Sequence, residues 1–366
     1  MAAIDSLFKT VFEKGASDLH LSSGSKPKMR HDGIIREIEG QYEIDAATVK
    51  KYLQEIAPAR NWSEFEEISD TDFAYELAGV ARFRCNFFMD AKGPGGVFRV
   101  VPSKVPTTAE LKLSPAVVEL CQLKKGLVLV TGPTGSGKST TLAALIEHIN
   151  TTRKDHIITI EDPIEFQYTS KNCHINQREV KRHTESFKKA LRAALREDPD
   201  VVLVGEMRDL ETVEIALETA ETGHLVFATL HTNTAPSSID RVVDQFPAGQ
   251  QNQIRIMLAS ALKAVIAQTL CRKAGGGRVA AFEVLIANSA VAANIRDAKT
   301  HQIASLMQVG KAIGMCLLND SLVELVKSKT VEPMEAFWNA VDKKDMFMRL
   351  KDAGFNIDIS KVPGLV

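Results

Sequence analysis

At 366 residues the chain exceeds what one hydrophobic core usually organises, so two domains are expected. Hydrophobic residues make up 45% and charged ones 25%, a globular composition, and 45 basic against 46 acidic side chains leave a formal net charge of −1. That balance supplies no overall field to hold a polyanion, so bulk charge gives no support to nucleic-acid binding.

The start, Met1 to Ser6, lacks the basic region and long apolar core of a signal peptide. No apolar run approaches the ~18 to 20 residues of a spanning helix, so membrane association is expected only through partners. Cys85, Cys121, Cys173, Cys271 and Cys316 stand far apart, with neither the pairing of a zinc site nor the density of a disulfide scaffold. They point to a reducing cytoplasm.

A short amphipathic helix is predicted from Ile4 to Lys14, followed by alternating stretches such as Asp18 to Leu21 and Phe83 to Phe87. Residues 1–100 thus read as a small mixed α+β domain. Pro102, Pro106 and Pro115 interrupt both periodicities, which makes 101–116 the expected linker. From 117 to 366 short apolar runs alternate with helical ones. Leu127 to Val130, His156 to Ile160, Val201 to Val204 and Leu225 to Leu230 read as strands, with helices at Lys138 to Asn150, Thr184 to Arg196 and Leu210 to Glu221. This alternation predicts an α/β domain, a mainly parallel sheet covered by helices on both faces. From Gly249 onward the period is mostly helical, through Phe337 to Leu350 and a polar tail, with Gly275 to Gly277 a local turn.

The chemistry gathers in this second part. Gly132, Pro133, Thr134, Gly135, Ser136, Gly137, Lys138 and Ser139 follow a predicted strand and open a predicted helix, with Thr140 next, the context of a phosphate-binding loop. Glycines let successive N–H groups face inward, and the helix start adds partial positive charge. ATP is the expected ligand, with Lys138 between the β- and γ-phosphates and the Ser139 hydroxyl on Mg²⁺. Glu206, at the tip of the predicted strand 201–204, is placed to reach the Mg²⁺ shell or the attacking water. Glu161, Asp162 and Glu165 follow another strand and are candidates to polarise water, although an acidic turn before Pro163 is ordinary by itself. His224 and His231 bracket the run 225–230 and are candidate reporters of the γ-phosphate, against the plainer reading of satisfied histidines. Arg82, Arg84 and Arg99 are candidate guanidinium donors to a phosphoryl-transfer site, as are Arg208 and Arg241 in the second domain; surface arginines are more often simply solvated.

These residues resemble, in order and over nearly the whole chain, the secretion ATPase superfamily, and within it the type IV pilus retraction ATPases, the PilT family. The likeness runs from Gly15 to Leu21, through Ala81 to Arg84 and Val97 to Arg99, to the phosphate loop. It continues through an acidic box at Ile160 to Phe166, Asn176 to Val180, Val201 to Asp209, a histidine box from Ala220 to His231, and Ile239 to Asp244. The resemblance implies a PAS-like N-terminal domain, a RecA-like P-loop ATPase domain, and a homo-hexamer with nucleotide between the domains, approached by Arg82, Arg84 and Arg99. It further implies a motor at the cytoplasmic face of the inner membrane, beneath a platform protein, acting on the pilin fibre indirectly. The extra N-terminal domain and four-cysteine zinc insertion usual in assembly ATPases are not expected here, which favours retraction. One segment departs: Ala290 to Arg296 keeps only the first residue, the closing Ile295–Arg296 and the apolar character of the retraction pattern. Two alternatives therefore stand beside the motor, an accessory or regulatory nucleotide-binding subunit and an assembly ATPase. A DNA or RNA translocase would need a basic stripe or stacking platform, and the sequence offers neither.

Overall fold

The computed structural model describes residues 2–31, 33–101 and 105–357. Pro102 of the expected linker and most of the polar tail lie outside them. The chain divides into two compact units, Met1–Lys104 and Val105–Val366.

Among the described residues the first unit holds a six-stranded sheet of β1 (Asp18–Ser22), β2 (Lys28–His31), β3 (Ile34–Glu37), β4 (Asp70–Leu77), β5 (Ala81–Asp90) and β6 (Gly93–Val101), in the order β3-β2-β1-β6-β5-β4. Every pairing is antiparallel. Strict alternation along β5 sends Ala81, Phe83, Cys85 and Phe87 into the core and leaves Arg82, Arg84 and Asn86 on the other face. The helix Asp5–Glu13 closes that core, with Phe8 stacked on Phe83 at 4.2 Å and edge-on to Phe98 at 5.1 Å.

Among its described residues the second unit is built on seven strands: β7 (Gly126–Thr131), β8 (His156–Glu161), β9 (His174–Glu179), β10 (Val201–Val204), β11 (Leu225–Leu230), β12 (Leu262–Arg272) and β13 (Arg278–Ile286), in the order β13-β12-β7-β11-β10-β8-β9. All neighbours run parallel except β13, which is antiparallel to β12. The central strands feed two apolar layers. Val128, Val130 and Phe227 pack with Leu142, Leu145 and Ile149 of the helix Lys138–Thr152. Leu129, Val204 and Ala228 pack on the opposite face with residues of Leu210–Glu221, Ala235–Asp244 and Ala248–Ala261. The helices therefore cover both faces, as a buried parallel sheet requires.

One expectation needs correction, and two segments gain detail. The helical reading beyond Gly249 holds for Ala248–Ala261 but fails at β12 and β13, a hairpin whose turn is formed by the glycines 275–277. Both faces of β12 are covered, Ile266 in one apolar layer and Val265 in the other, so the strand has no alternation to betray it. The segment Phe337 to Leu350 is two helices, Pro333–Asn339 and Lys343–Asp352. They part because Ala340 is extended, Asp342 caps the second helix by accepting from the Asp345 N–H, and the Lys343 ammonium binds the carbonyls of Phe337 (2.9 Å) and Ala340 (2.7 Å) that end the first. Asn176 to Glu179, part of the family likeness, lie in the edge strand β9, whose little apolar content no hydrophobic run marked.

Truncating Ile266, fully buried in β12, to Ala is expected to cost the second unit about 2–5 kcal/mol in urea unfolding, whereas Ile256→Ala, at a side chain 59% exposed, stays within about 0.5 kcal/mol. Equal effects would place β12 outside the core.

Candidate functional site

Parallel pairing brings the carboxyl ends of four strands to one edge, within about two residues of one another. Thr131 of β7 stands opposite Leu230 of β11, and Val204 of β10 opposite both Ala228 of β11 and Ile160 of β8. The residues that follow these ends form the site.

After β7 comes the loop Gly132–Gly137. Gly132, Gly135 and Gly137 have φ of 142°, 79° and 89°, where other L-residues are strained. Crowding also forbids a side chain at Gly132, since a Cβ there would stand 2.3 Å from the Gln268 carbonyl oxygen. Lys138 opens the helix. Its Nζ donates to the carbonyls of Gly132 (2.8 Å) and Pro133 (3.2 Å) and lies 3.5 Å from His231 Nδ1. Burial lowers the Lys138 pKa, while the charges of Glu206 and Glu165 oppose the shift. Thr141 is the first residue whose N–H bonds back along the helix, to Gly137, so the Lys138, Ser139 and Thr140 N–H groups have no intrahelical partner.

Glu206 is aimed by Gly205. The Gly205 N–H donates to the Ile160 carbonyl at 2.7 Å, and a Cβ on Gly205 would meet that same oxygen at 3.0 Å and the Glu161 Cα at 3.2 Å. Thr229 Oγ1 donates to the Gly205 carbonyl and the Met207 N–H to the Thr229 carbonyl, fixing the turn from the other side. Glu206 then pairs with Arg208 at 2.7 Å through one oxygen and with His231 Nε2 at 3.0 Å through the other. Burial works against its charge, but Arg208 and His231 outweigh burial and hold the carboxyl below the usual range. His231 thus stands between Lys138 and Glu206, one ring nitrogen toward each.

Glu161 ends β8 in the opposite condition. Desolvation pushes its carboxyl up to about 7, against bonds from Thr159 (2.6 Å) and Gln177 (3.2 Å) that favour the ionised form. Two neighbouring carboxyl groups are thereby separated, one held ionised and one poised near neutrality. Glu165 and Asp162 lie exposed on the turn beyond, across the cis peptide at Pro163.

Not every candidate joins this cluster. His224 precedes β11 at its amino end, where Nδ1 lies 3.1 Å from the Thr219 carbonyl. The strand between it and His231 has six residues, which separates the two rings by on the order of 20 Å. Arg241 is exposed on Ala235–Asp244. Arg82, Arg84 and Arg99 belong to the first unit. There Arg84 of β5 and Arg99 of β6 are direct cross-strand partners, and Arg99 Nε binds the buried Asp18 at 2.9 Å. Like charges so opposed are unfavourable, and the Asp18 carboxylate offsets them on the Arg99 side. Arg208, weighed only as an alternative in the sequence, is the guanidinium that reaches Glu206. Gln268 was missed, because nothing marked β12 as a strand beside the loop.

Could these residues hold a nucleotide and its metal? Ser136 Oγ is buried in the loop without a hydrogen-bond partner, and the three open N–H groups need acceptors, a donor set suited to phosphate oxygens. Among the described residues no group of three His, Cys, Asp or Glu could bind a metal alone. Mg²⁺ fits instead with one or two protein oxygens, from Ser139 and Glu206, beside those of the phosphates.

A glycine-rich loop, a lysine, a carboxylate and a histidine at the carboxyl ends of parallel strands define a P-loop nucleotide-binding protein. More particularly, the chain belongs to the Type II/IV secretion system protein family, whose profile matches residues 1–335. It is 52% identical over 314 residues to the type IV pilus retraction ATPase PilT of Pseudomonas aeruginosa, covering 86% of this chain and 91% of that one. A twitching motility protein of Neisseria gonorrhoeae is 48% identical over 321 residues, 87% of this chain and 86% of that one. The crystal structure of the pilus retraction motor PilT with bound ADP superposes with a TM-score of 0.87 at 46% identity, covering 94% of this chain and 98% of that one. The expected fold class, a RecA-like P-loop domain preceded by a smaller PAS-like α+β domain, agrees with that match.

The environment of Glu161 sets a pH dependence. Its pKa is raised from 4.5 to about 7, so the cost of keeping it in the folded chain is absent below pH 4.5, grows as pH rises, and is complete above about 7. That cost is on the order of 3 kcal/mol. Glu161→Gln should therefore raise the melting temperature of the nucleotide-free protein at pH 8 and leave it nearly unchanged at pH 5; the same shift at both values would contradict the raised pKa.

Proposed function

We propose that this chain is an ATP-hydrolysing hexameric motor that powers type IV pilus retraction. The observation that carries the proposal is the joining, at one sheet edge, of the Gly132–Ser139 loop and Lys138 to the ionised Glu206 through His231. A binding module has no need of that last carboxylate. The names of the relatives, a pilus retraction ATPase and a twitching motility protein, support the mechanical output.

In this reading Lys138 leaves the loop carbonyls for the β- and γ-phosphates, gaining charge–charge attraction in place of two neutral acceptors. Mg²⁺, when bound, neutralises phosphate charge. Ser139 and Glu206 hold it, Glu161 or Glu165 takes the proton of the attacking water, and His231 senses the γ-phosphate. Arg82, Arg84 and Arg99 neutralise the transition state, a role that the likeness to retraction ATPases supports. The ring recruits the inner-membrane platform protein from the cytoplasmic side. Among the described residues no helix is long and apolar enough to cross a membrane, which supports attachment through partners.

The altered segment Ala290 to Arg296, in the helix Ser289–Arg296, favours a second reading, an accessory retraction subunit. Pilus length and twitching in a strain lacking the chain separate the two, since loss of the principal motor leaves long, non-retracting pili.

Lys138→Ala should abolish detectable ATPase turnover; near-normal turnover would refute the phosphate-loop assignment. Arg99→Ala should leave nucleotide binding nearly intact and lower turnover on the order of 10³-fold or more. In mixed rings of Arg99→Ala and Lys138→Ala chains, some interfaces regain both groups and activity partly returns if the arginine acts on a neighbour's site. Full activity of Arg99→Ala alone would remove it from the mechanism.

A further inference from the structure

One buried side chain of the second unit has no part in the reading above. Gln268, 3% exposed, follows the residue of β12 that pairs with Thr131, which sets it beside the start of the phosphate loop. It spans that loop. Its backbone carbonyl crowds Gly132, its Nε2 donates to the Ser136 carbonyl at 2.7 Å, and a Cβ on Gly137 would stand 3.2 Å from the same nitrogen. Its Oε1 is buried without a hydrogen-bond partner. An apolar side chain of similar size would spare the second unit that unsatisfied oxygen, so stability alone does not account for a glutamine here.

The bond to Ser136 has a directional consequence. In a planar trans peptide the C=O and the following N–H point in opposite directions. Holding the Ser136 carbonyl toward β12 therefore turns the Gly137 N–H away from β12. The unpartnered Ser136 hydroxyl belongs to the same short stretch.

We propose that Gln268 is a positioning residue of the phosphate loop, whose amide fixes the Ser136–Gly137 peptide with its N–H presented to the diphosphate of a bound nucleotide. This rests on the nucleotide reading above. Without the amide the glycine-flanked peptide is free to rotate, and part of the ordering of the loop falls on binding. The loss touches ground state and transition state alike, so it appears in KM rather than kcat.

The test uses the full chain, a fluorescent ADP analogue, ATPase kinetics and thermal melting. Gln268→Met, close in size but without the donor, should weaken ADP binding by about tenfold and raise KM by a similar factor. Its kcat should stay within about twofold and its melting temperature should not fall. Gln268→Glu adds a readout that a purely structural role would not move. Protonated at pH 5.5 it can still donate to Ser136 and should bind ADP nearly as the wild type does at that pH. Ionised at pH 8 it faces a carbonyl oxygen and should bind more weakly than the Met variant. Wild-type affinity in Gln268→Met, a lowered melting temperature with unchanged KM, or a Gln268→Glu to wild-type ratio equal at both pH values would each overturn the proposal. Failure of the wild-type chain itself to bind the ADP analogue would instead sink the nucleotide reading, and this inference with it.

Discussion

The site depends on backbone register. The parallel ladders pair Thr131 with Leu230 and Val204 with Ala228 and Ile160, so four strands end within about two residues of one another and deliver the residues that follow to the same edge. A close approach falls at Gly205, whose N–H bonds the Ile160 carbonyl and whose missing side chain lets two strand ends meet. A Cβ there would press on the backbone of Glu161 and move Glu206 with it. Main-chain packing thus places the carboxylates, and Thr229, Arg208 and His231 then fix the turn and the Glu206 side chain.

On that frame electrostatics divide the labour. Glu206 and Glu161 are both partly withdrawn from water, yet Arg208 and His231 keep the first ionised while desolvation dominates the second. A metal ligand must be ionised, and a proton acceptor works best near the operating pH, so the two environments suit different tasks. Lys138, bonded to carbonyls of its own loop, is close to His231 and separated from Glu206 by that single ring.

How much of this was legible in the sequence followed from how local each signal was. The phosphate loop announces itself because glycine is required at fixed offsets for conformational reasons, and Gly132, Gly135 and Gly137 do take up positive φ. The apolar cores of β7, β10 and β11 showed as runs because those strands are buried on both faces. The same burial hid β12, where alanines, a glutamine and a threonine dilute the run, and with it Gln268. Polar β9 gave no hydrophobic signal at all. The two histidines looked equivalent as a bracket around six residues, but a strand carries its ends to opposite edges of a sheet, so His231 reaches Lys138 and His224 does not. The pairing of Arg208 with Glu206 and the opposition of Arg84 and Arg99 are contacts across space that spacing along the chain does not encode.

The proposed role of Glu206 is to serve hydrolysis, with Ser139 and the phosphates themselves still holding Mg²⁺ when its charge is removed. The direct measurement is to incubate wild-type and Glu206→Gln chains with Mg-ATP, separate free nucleotide, and identify what remains bound. The account predicts ADP on the wild type and largely intact ATP on the variant. ADP appearing on Glu206→Gln at the wild-type rate would contradict it.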